Sequence, residues 1–136
     1  MMMEYSSKWG FTLIELMIVI VIVGLLAAIA IPNYVRVVNN TREAEVESNM
    51  HSVQFEVELY MVDYRRYPDD ASVIAARLPG NIKNPFDENN DVVQNLGESN
   101  IEGVVEYDVS NDFENYTITG LGKGAESLPI TLYSGY

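Results

Sequence analysis

One carboxylate, Glu15, interrupts an otherwise apolar run from Phe11 to Ile31. A helix of about 20 apolar residues matches the roughly 30 Å hydrocarbon core of a bilayer, and a charge inside it costs at least about 2.5 kcal/mol. The chemistry on offer is ion pairing, unless Glu15, near the start of the run, reaches the headgroup region instead. No small-residue cleavage site follows the run, because Ala27, Ala28 and Ala30 lie inside it. The candidate cut therefore precedes the helix, between Gly10 and Phe11. Cutting there frees an amine on Phe11, one helical turn from Glu15. The residues leave open whether that amine pairs with Glu15 of its own chain or of a neighbour.

Other candidates carry weaker chemistry. Asp87-Glu88-Asn89-Asn90-Asp91 collects oxygen ligands of the kind Ca²⁺ prefers, with Asp87, Glu88 and Asp91 as the carboxylates. The EF-hand spacing and its distal Glu are missing, so a solvated acidic loop is expected and no cofactor is required. His51 is the only histidine and cysteine is absent, which excludes His-rich metal sites and thiol nucleophiles. Ser48 and Ser52 lack a nucleophile-elbow context, so no catalytic residue and no enzyme is expected. Gly120-Leu121-Gly122-Lys123-Gly124 shares only its glycines with a phosphate loop and reads as a hairpin turn. The nine tyrosines and four phenylalanines are expected to pack subunits or a core rather than to carry electrons.

These residues must be placed by a few elements. After Pro32 the pattern turns amphipathic: Val46, Met50, Val53, Val57, Tyr60 or Met61, and Tyr64 recur at intervals of three and four. Phe55 to Met61 also alternates as a strand would, but the longer window fits the helical period. The reading is one helix from about Phe11 to Tyr64, spanning about 80 Å. Pro32 should kink it or loosen it locally, and Gly24 is a second weak point. Tyr67-Pro68 ends it. Ala71 to Leu78 reads as a short helix or turn. Strands are expected at Gly103–Val109, Phe113–Thr119 and Leu128–Tyr133, with Val92–Leu96 a weaker fourth. The fold class is α+β: a long N-terminal helix, membrane-spanning in its first half, packed by its second half on a small C-terminal antiparallel sheet. The organisation is a leader at 1–10, a membrane-spanning helix at 11–32, an amphipathic continuation at 33–66 and a head at 67–136.

Composition bounds the function. The 136-residue chain has room for one modest core beside its anchor and no disulfide to staple it. The net charge is −12, and from Asn84 to Gly122 nine acids occur without one Lys or Arg. Such a surface repels a phosphate backbone, so direct nucleic-acid binding is not expected.

Lys8-Trp9-Gly10, then Phe11-Thr12-Leu13-Ile14-Glu15-Leu16-Met17, and on through Gly24 to Pro32-Asn33-Tyr34, resembles the leader and N-terminal segment of the type IV pilin and type II secretion pseudopilin superfamily. The resemblance covers the first quarter to third of the chain. It implies that a prepilin peptidase cuts after Gly10 and methylates the Phe11 amine. It also implies that Glu15 pairs with the amine of a neighbouring subunit as the chain leaves the bacterial inner membrane for a helical homo-oligomeric filament. The precursor would be single-pass, its leader cytoplasmic and its head outside, served by pilus or secretion assembly machinery. In the family, the stretch between the equivalents of Gly24 and Pro32 can unwind in the filament. Two departures stand out: there is no C-terminal disulfide loop, and the place where many major pseudopilins hold Ca²⁺ has only Glu126 as a carboxylate and contains Lys123. The resemblance thus implies a pilus subunit first and a pseudopilin second. A membrane-anchored acidic domain that never polymerises is the third reading.

Overall fold

The computed structural model describes residues 10–135. The leader expected at 1–10, with Lys8 and Trp9, lies outside the described residues except for Gly10. Helix α1 runs Leu13–Tyr64, without a break in its helical assignment at Gly24 or Pro32. The chain divides into two compact units, one reaching to Val37 and the other beginning at Val38. The second unit, hereafter the head, holds the later part of α1 together with the residues that follow it.

In the first unit, α1 is long and apolar enough to cross a membrane by length and composition. In the second, the expected stripe is the buried one: Val46, Met50, Val53, Val57 and Tyr60. Tyr64 departs from it, exposed and stacked on Tyr60 with ring centroids 4.3 Å apart. Phe55 to Met61 is helical throughout, which removes the strand alternative. Arg65 ends α1 in the left-handed region at φ 61°, its N–H donating to the Met61 carbonyl. Glycine usually takes that position, because a side chain there costs about 1–2 kcal/mol.

Helix α2, Ala71–Ala75, starts on Asp70, whose carboxylate accepts from Ser72 N at 2.7 Å. This is an N-cap worth about 1 kcal/mol. Four strands follow: β1 Val93–Asn95, β2 Val105–Val109, β3 Tyr116–Leu121 and β4 Ser127–Tyr133. They pair in the order β1-β2-β3-β4. The last three are antiparallel as expected, but β1 lies parallel to β2, with Val93 opposite Val105, so the sheet is mixed. A short connection can return the chain because β1 is only three residues long. At about 3.3 Å per residue it retraces roughly 10 Å.

Strand β3 begins at Tyr116 rather than Phe113. The Asp112 carboxylate accepts from Glu114 N and the Ser110 hydroxyl from Asn115 N, which prolongs the turn, and Phe113 sits in it at φ 56°. The core joins Val46, Met50, Val53 and Val57 to Ile74, Val105, Tyr107 and Ile118. Gly120 lets helix and sheet approach closely: a Cβ there would lie 2.7 Å from Met50 Sδ and 2.8 Å from Val46 Cγ1. The pairing of β3 with β4 shifts register at that glycine.

Candidate functional site

The N-terminal segment is built on a local motif. Thr12 and Glu15 form a capping box in which Glu15 Oε2 accepts from Thr12 N at 2.8 Å and from Thr12 Oγ1 at 2.7 Å, while Glu15 N donates back to Thr12 Oγ1 at 3.3 Å. This satisfies amide donors that a helix start otherwise leaves unpaired. Sequence reasoning missed it, although Thr-x-x-Glu was its signal. Phe11 is 81% exposed. With Gly10 still attached its nitrogen is a peptide amide, and among the described residues Glu15 is engaged by the neutral donors of Thr12. Around it, Leu13, Ile14, Leu16, Met17, Ile18 and the large apolar side chains onward to Val37 are exposed. A contiguous apolar surface of this kind must be covered by lipid or by other chains.

The head keeps its polar groups internal. Asn84, fully buried, is the hub: its Oδ1 accepts from Phe86 N at 2.9 Å and Asp87 N at 3.2 Å. Its Nδ2 donates to the carbonyls of Glu102 at 2.9 Å and Asp91 at 3.3 Å. All four capacities of the amide are used. The Ca²⁺ candidates flank this hub. The Asp87 carboxylate accepts from Asn89 N and Nδ2, and these bonds, backbone first, hold its pKa below the usual range. The Asp91 carboxylate accepts from Gln94 Nε2, and Glu88 is exposed. Among the described residues, no three His, Cys, Asp or Glu groups stand together as a metal site.

At the glycine-rich turn, Lys123 is the cation. Its Nζ donates to both Glu102 oxygens at 2.8 and 3.1 Å, Gly124 N adds a third bond at 2.9 Å, and Lys123 N donates to Glu43 on α1 at 3.1 Å. The Lys123 hydrogen bond is the largest cause that lowers the Glu102 pKa. The turn thereby ties β3–β4 to the 102 loop and to α1.

The aromatic residues also gather, beyond the helix spacing that drew attention to them. Tyr67 meets Tyr116 edge-on at 4.8 Å, and Tyr107 lies 6.2 Å from Tyr116. Tyr116 donates to Glu58 at 2.7 Å, and Tyr107 donates to the Pro68 carbonyl at 2.8 Å. Burial pushes the Tyr107 and Tyr116 hydroxyls well above the ordinary tyrosine range. His51 is exposed and stands apart from all of this.

Two surfaces thus ask for different neighbours, and the relatives bear on which. The prokaryotic N-terminal methylation motif matches residues 10–31. The type IV major pilin protein PilA of Myxococcus xanthus is 42% identical over 65 residues, 48% of this chain and 30% of that pilin. The type II secretion system core protein G of Klebsiella michiganensis is 36% identical over 66 residues, 48% of this chain and 46% of protein G. The type IV major fimbrial protein FimA of Dichelobacter nodosus is 30% identical over 122 residues, 88% of this chain and 74% of FimA. This chain belongs to the type IV pilin and pseudopilin superfamily. No solved structure matches this pilin-family chain. It spans less than half of the Myxococcus pilin and of protein G, and about three quarters of FimA.

Within the pilin framework, Gly10, Phe11 and Glu15 lie in the matched motif, on the exposed apolar unit. What the sequence did not show was the Asn84 hub and the Lys123–Glu102 clasp. The clasp joins residues 21 apart and the Asn84–Glu102 bond of the hub spans 18, which no local pattern announces. The bonds from Phe86 N and Asp87 N to Asn84 are local, and Asn84-Pro85 as a turn start was their signal.

Proposed function

We propose that this chain is the structural subunit of a type IV pilus, polymerising after a prepilin peptidase removes the leader at Gly10 and methylates Phe11. The FimA likeness over 88% of the chain carries this reading, because it necessarily extends into the head. Before assembly the apolar half of α1 holds the subunit in the inner membrane. In assembly, Glu15 exchanges its Thr12 donors for the amine of a neighbouring subunit, and the exposed apolar side chains become the filament core. At Glu102 the cation is supplied by Lys123, which supports a head that holds together without a metal there. Nucleic acid is not a partner of so acidic a surface.

The likeness to protein G supports a second reading, a pseudopilin working inside a type II secretion system. Shearing filaments from cells and reading the N-terminus by mass spectrometry tests processing and assembly together. Chains beginning at methylated Phe11 in long surface filaments support the pilus, whereas processed chains confined to the envelope support the pseudopilus. Recovery only from membranes, with the leader intact, would remove both. Glu15→Gln keeps a capping acceptor and loses the charge; normal filament yield from it would show that Glu15 acts as a cap alone.

A further inference from the structure

Among the described residues of this acidic chain, most cations form no ion pair. Among the described residues, Arg77 pairs with Glu56 and Asp63 and Lys123 with Glu102, while no ion pair involves Arg65 or Arg66. These two adjacent arginines are exposed at the end of α1. The Arg66 guanidinium lies over the Phe113 ring, its Cζ 5.5 Å from the centroid, within cation–π reach. Arg65 keeps a long cationic side chain at a left-handed position that glycine would fill without strain. A cation after a helix C-terminus also gains from the helix dipole, so the pair needs a test that separates this role from docking.

The same head presents an anionic groove of about 720 Å³ between α2 and β1, with Asp70, Asp91 and Glu98 on its wall and Lys83 the one cation among the described residues that line it. Its carboxylates are met by neutral donors: Asp70 by Ser72 N and Asn95 Nδ2, Glu98 by Asn95 Nδ2, and Asp91 by Gln94 Nε2. Cations without carboxylates and carboxylates without cations thus lie on one head, at separate places.

We propose that the Arg65–Arg66 pair of one subunit docks in the α2–β1 groove of a second copy of this chain. The proposal rests on the filament reading. Because the two patches differ, the contact is heterologous, the kind that builds an open helical filament when its rotation does not close into a ring. Subunits of net charge −12 repel one another, and at physiological salt that repulsion fades beyond about 8 Å. Paired arginines seated on carboxylates act inside that range and fix the register of neighbouring heads.

Charge reversal and its repair form the test, in full-length chains expressed in filament-forming cells. Arg65→Glu with Arg66→Glu, and separately Asp91→Arg with Glu98→Arg, should each lower sheared filament yield at least roughly tenfold, because like charges then face each other. Leader removal and the unfolding midpoint of the detergent-solubilised chain should stay unchanged. Combining all four substitutions restores complementarity, and yield should recover to within roughly threefold of the native chain. Dipole loss alone would not be repaired by changes in the groove. Native-like yield from either pair, or a folded fourfold variant no better than the pairs, overturns the proposal. Should reversal lower the unfolding midpoint, Arg65→Gln with Arg66→Gln replaces it, and unchanged yield from that variant overturns the contact. A native chain that forms no filaments overturns the polymer reading and the contact with it.

Discussion

The unit reaching to Val37 and the head beginning at Val38 solve opposite problems. In the first, large apolar side chains from Leu13 to Val37 stand exposed, and the polar bonding described there is local, between Thr12 and Glu15 and between Asn33 and Arg36. In the second, the helix buries one stripe completely, and no buried side-chain polar atom of the described residues lacks a hydrogen-bond partner. One region is finished only by other molecules, the other by its own chain. The hydrophobic effect drives both, but only the head spends it on its own stability.

The sharpest way to break this contrast is the same substitution in each region. Val53→Asp places a carboxylate at a site with 0% exposure and should unfold the head, at a cost above about 4 kcal/mol by denaturant-monitored circular dichroism. Val19→Asp should leave that transition unchanged and instead deplete the chain from the membrane fraction. Equal effects on head unfolding would erase the distinction.

Asn84→Ala comes next. It strips two amide donors and two carbonyl acceptors of their partner, and should cost about 2–4 kcal/mol in the same measurement. A smaller loss would mean that water reaches the hub.

Alkaline titration gives a third comparison. Burial raises the Tyr107 and Tyr116 pKa above the ordinary 10.0, so the folded head holds their protons where an unfolded chain releases them. Their contribution to stability is complete below pH 10 and is lost as pH rises beyond it. Tyrosinate absorbance from these two should therefore appear together with unfolding, not before it.

The smallest effect belongs to the exposed clasp. Lys123→Ala should cost about 0–1 kcal/mol, as surface ion pairs do. Because the Glu102 pKa is lowered, the clasp's contribution is present above the ordinary value of 4.5 and fades as pH falls. The variant should lose part of that acid dependence, the Gly124 N bond to Glu102 keeping the rest, and adding Ca²⁺ to the native head should leave its unfolding midpoint in place.

Periodicity made α1 and its buried stripe legible, because Val46, Met50, Val53 and Val57 repeat at the helical interval and core packing obeys it. Glu15 was legible as an anomaly, a charge in an apolar run. Its capping role with Thr12, three residues earlier, is written only in the Thr-x-x-Glu spacing, which an apolar run masks. Phe113 and the parallel β1 were misplaced for a different reason. Side-chain bonds from Ser110 and Asp112 lengthen a turn, and strand direction depends on which edge is vacant, neither of which alternation encodes. The Arg65–Arg66 pair and the α2–β1 groove were invisible as a pair, since complementarity between surfaces exists only after folding.

Asn84 also bears on how long such a subunit lasts. Asparagine ages when the next residue's backbone nitrogen attacks the side-chain amide, closing a ring that opens to aspartate. Here the next residue is Pro85, which has no backbone N–H. The amide at the centre of the head is thereby shielded from the ordinary route of deamidation, a useful property for a part that, in the filament proposed above, would not be renewed in place.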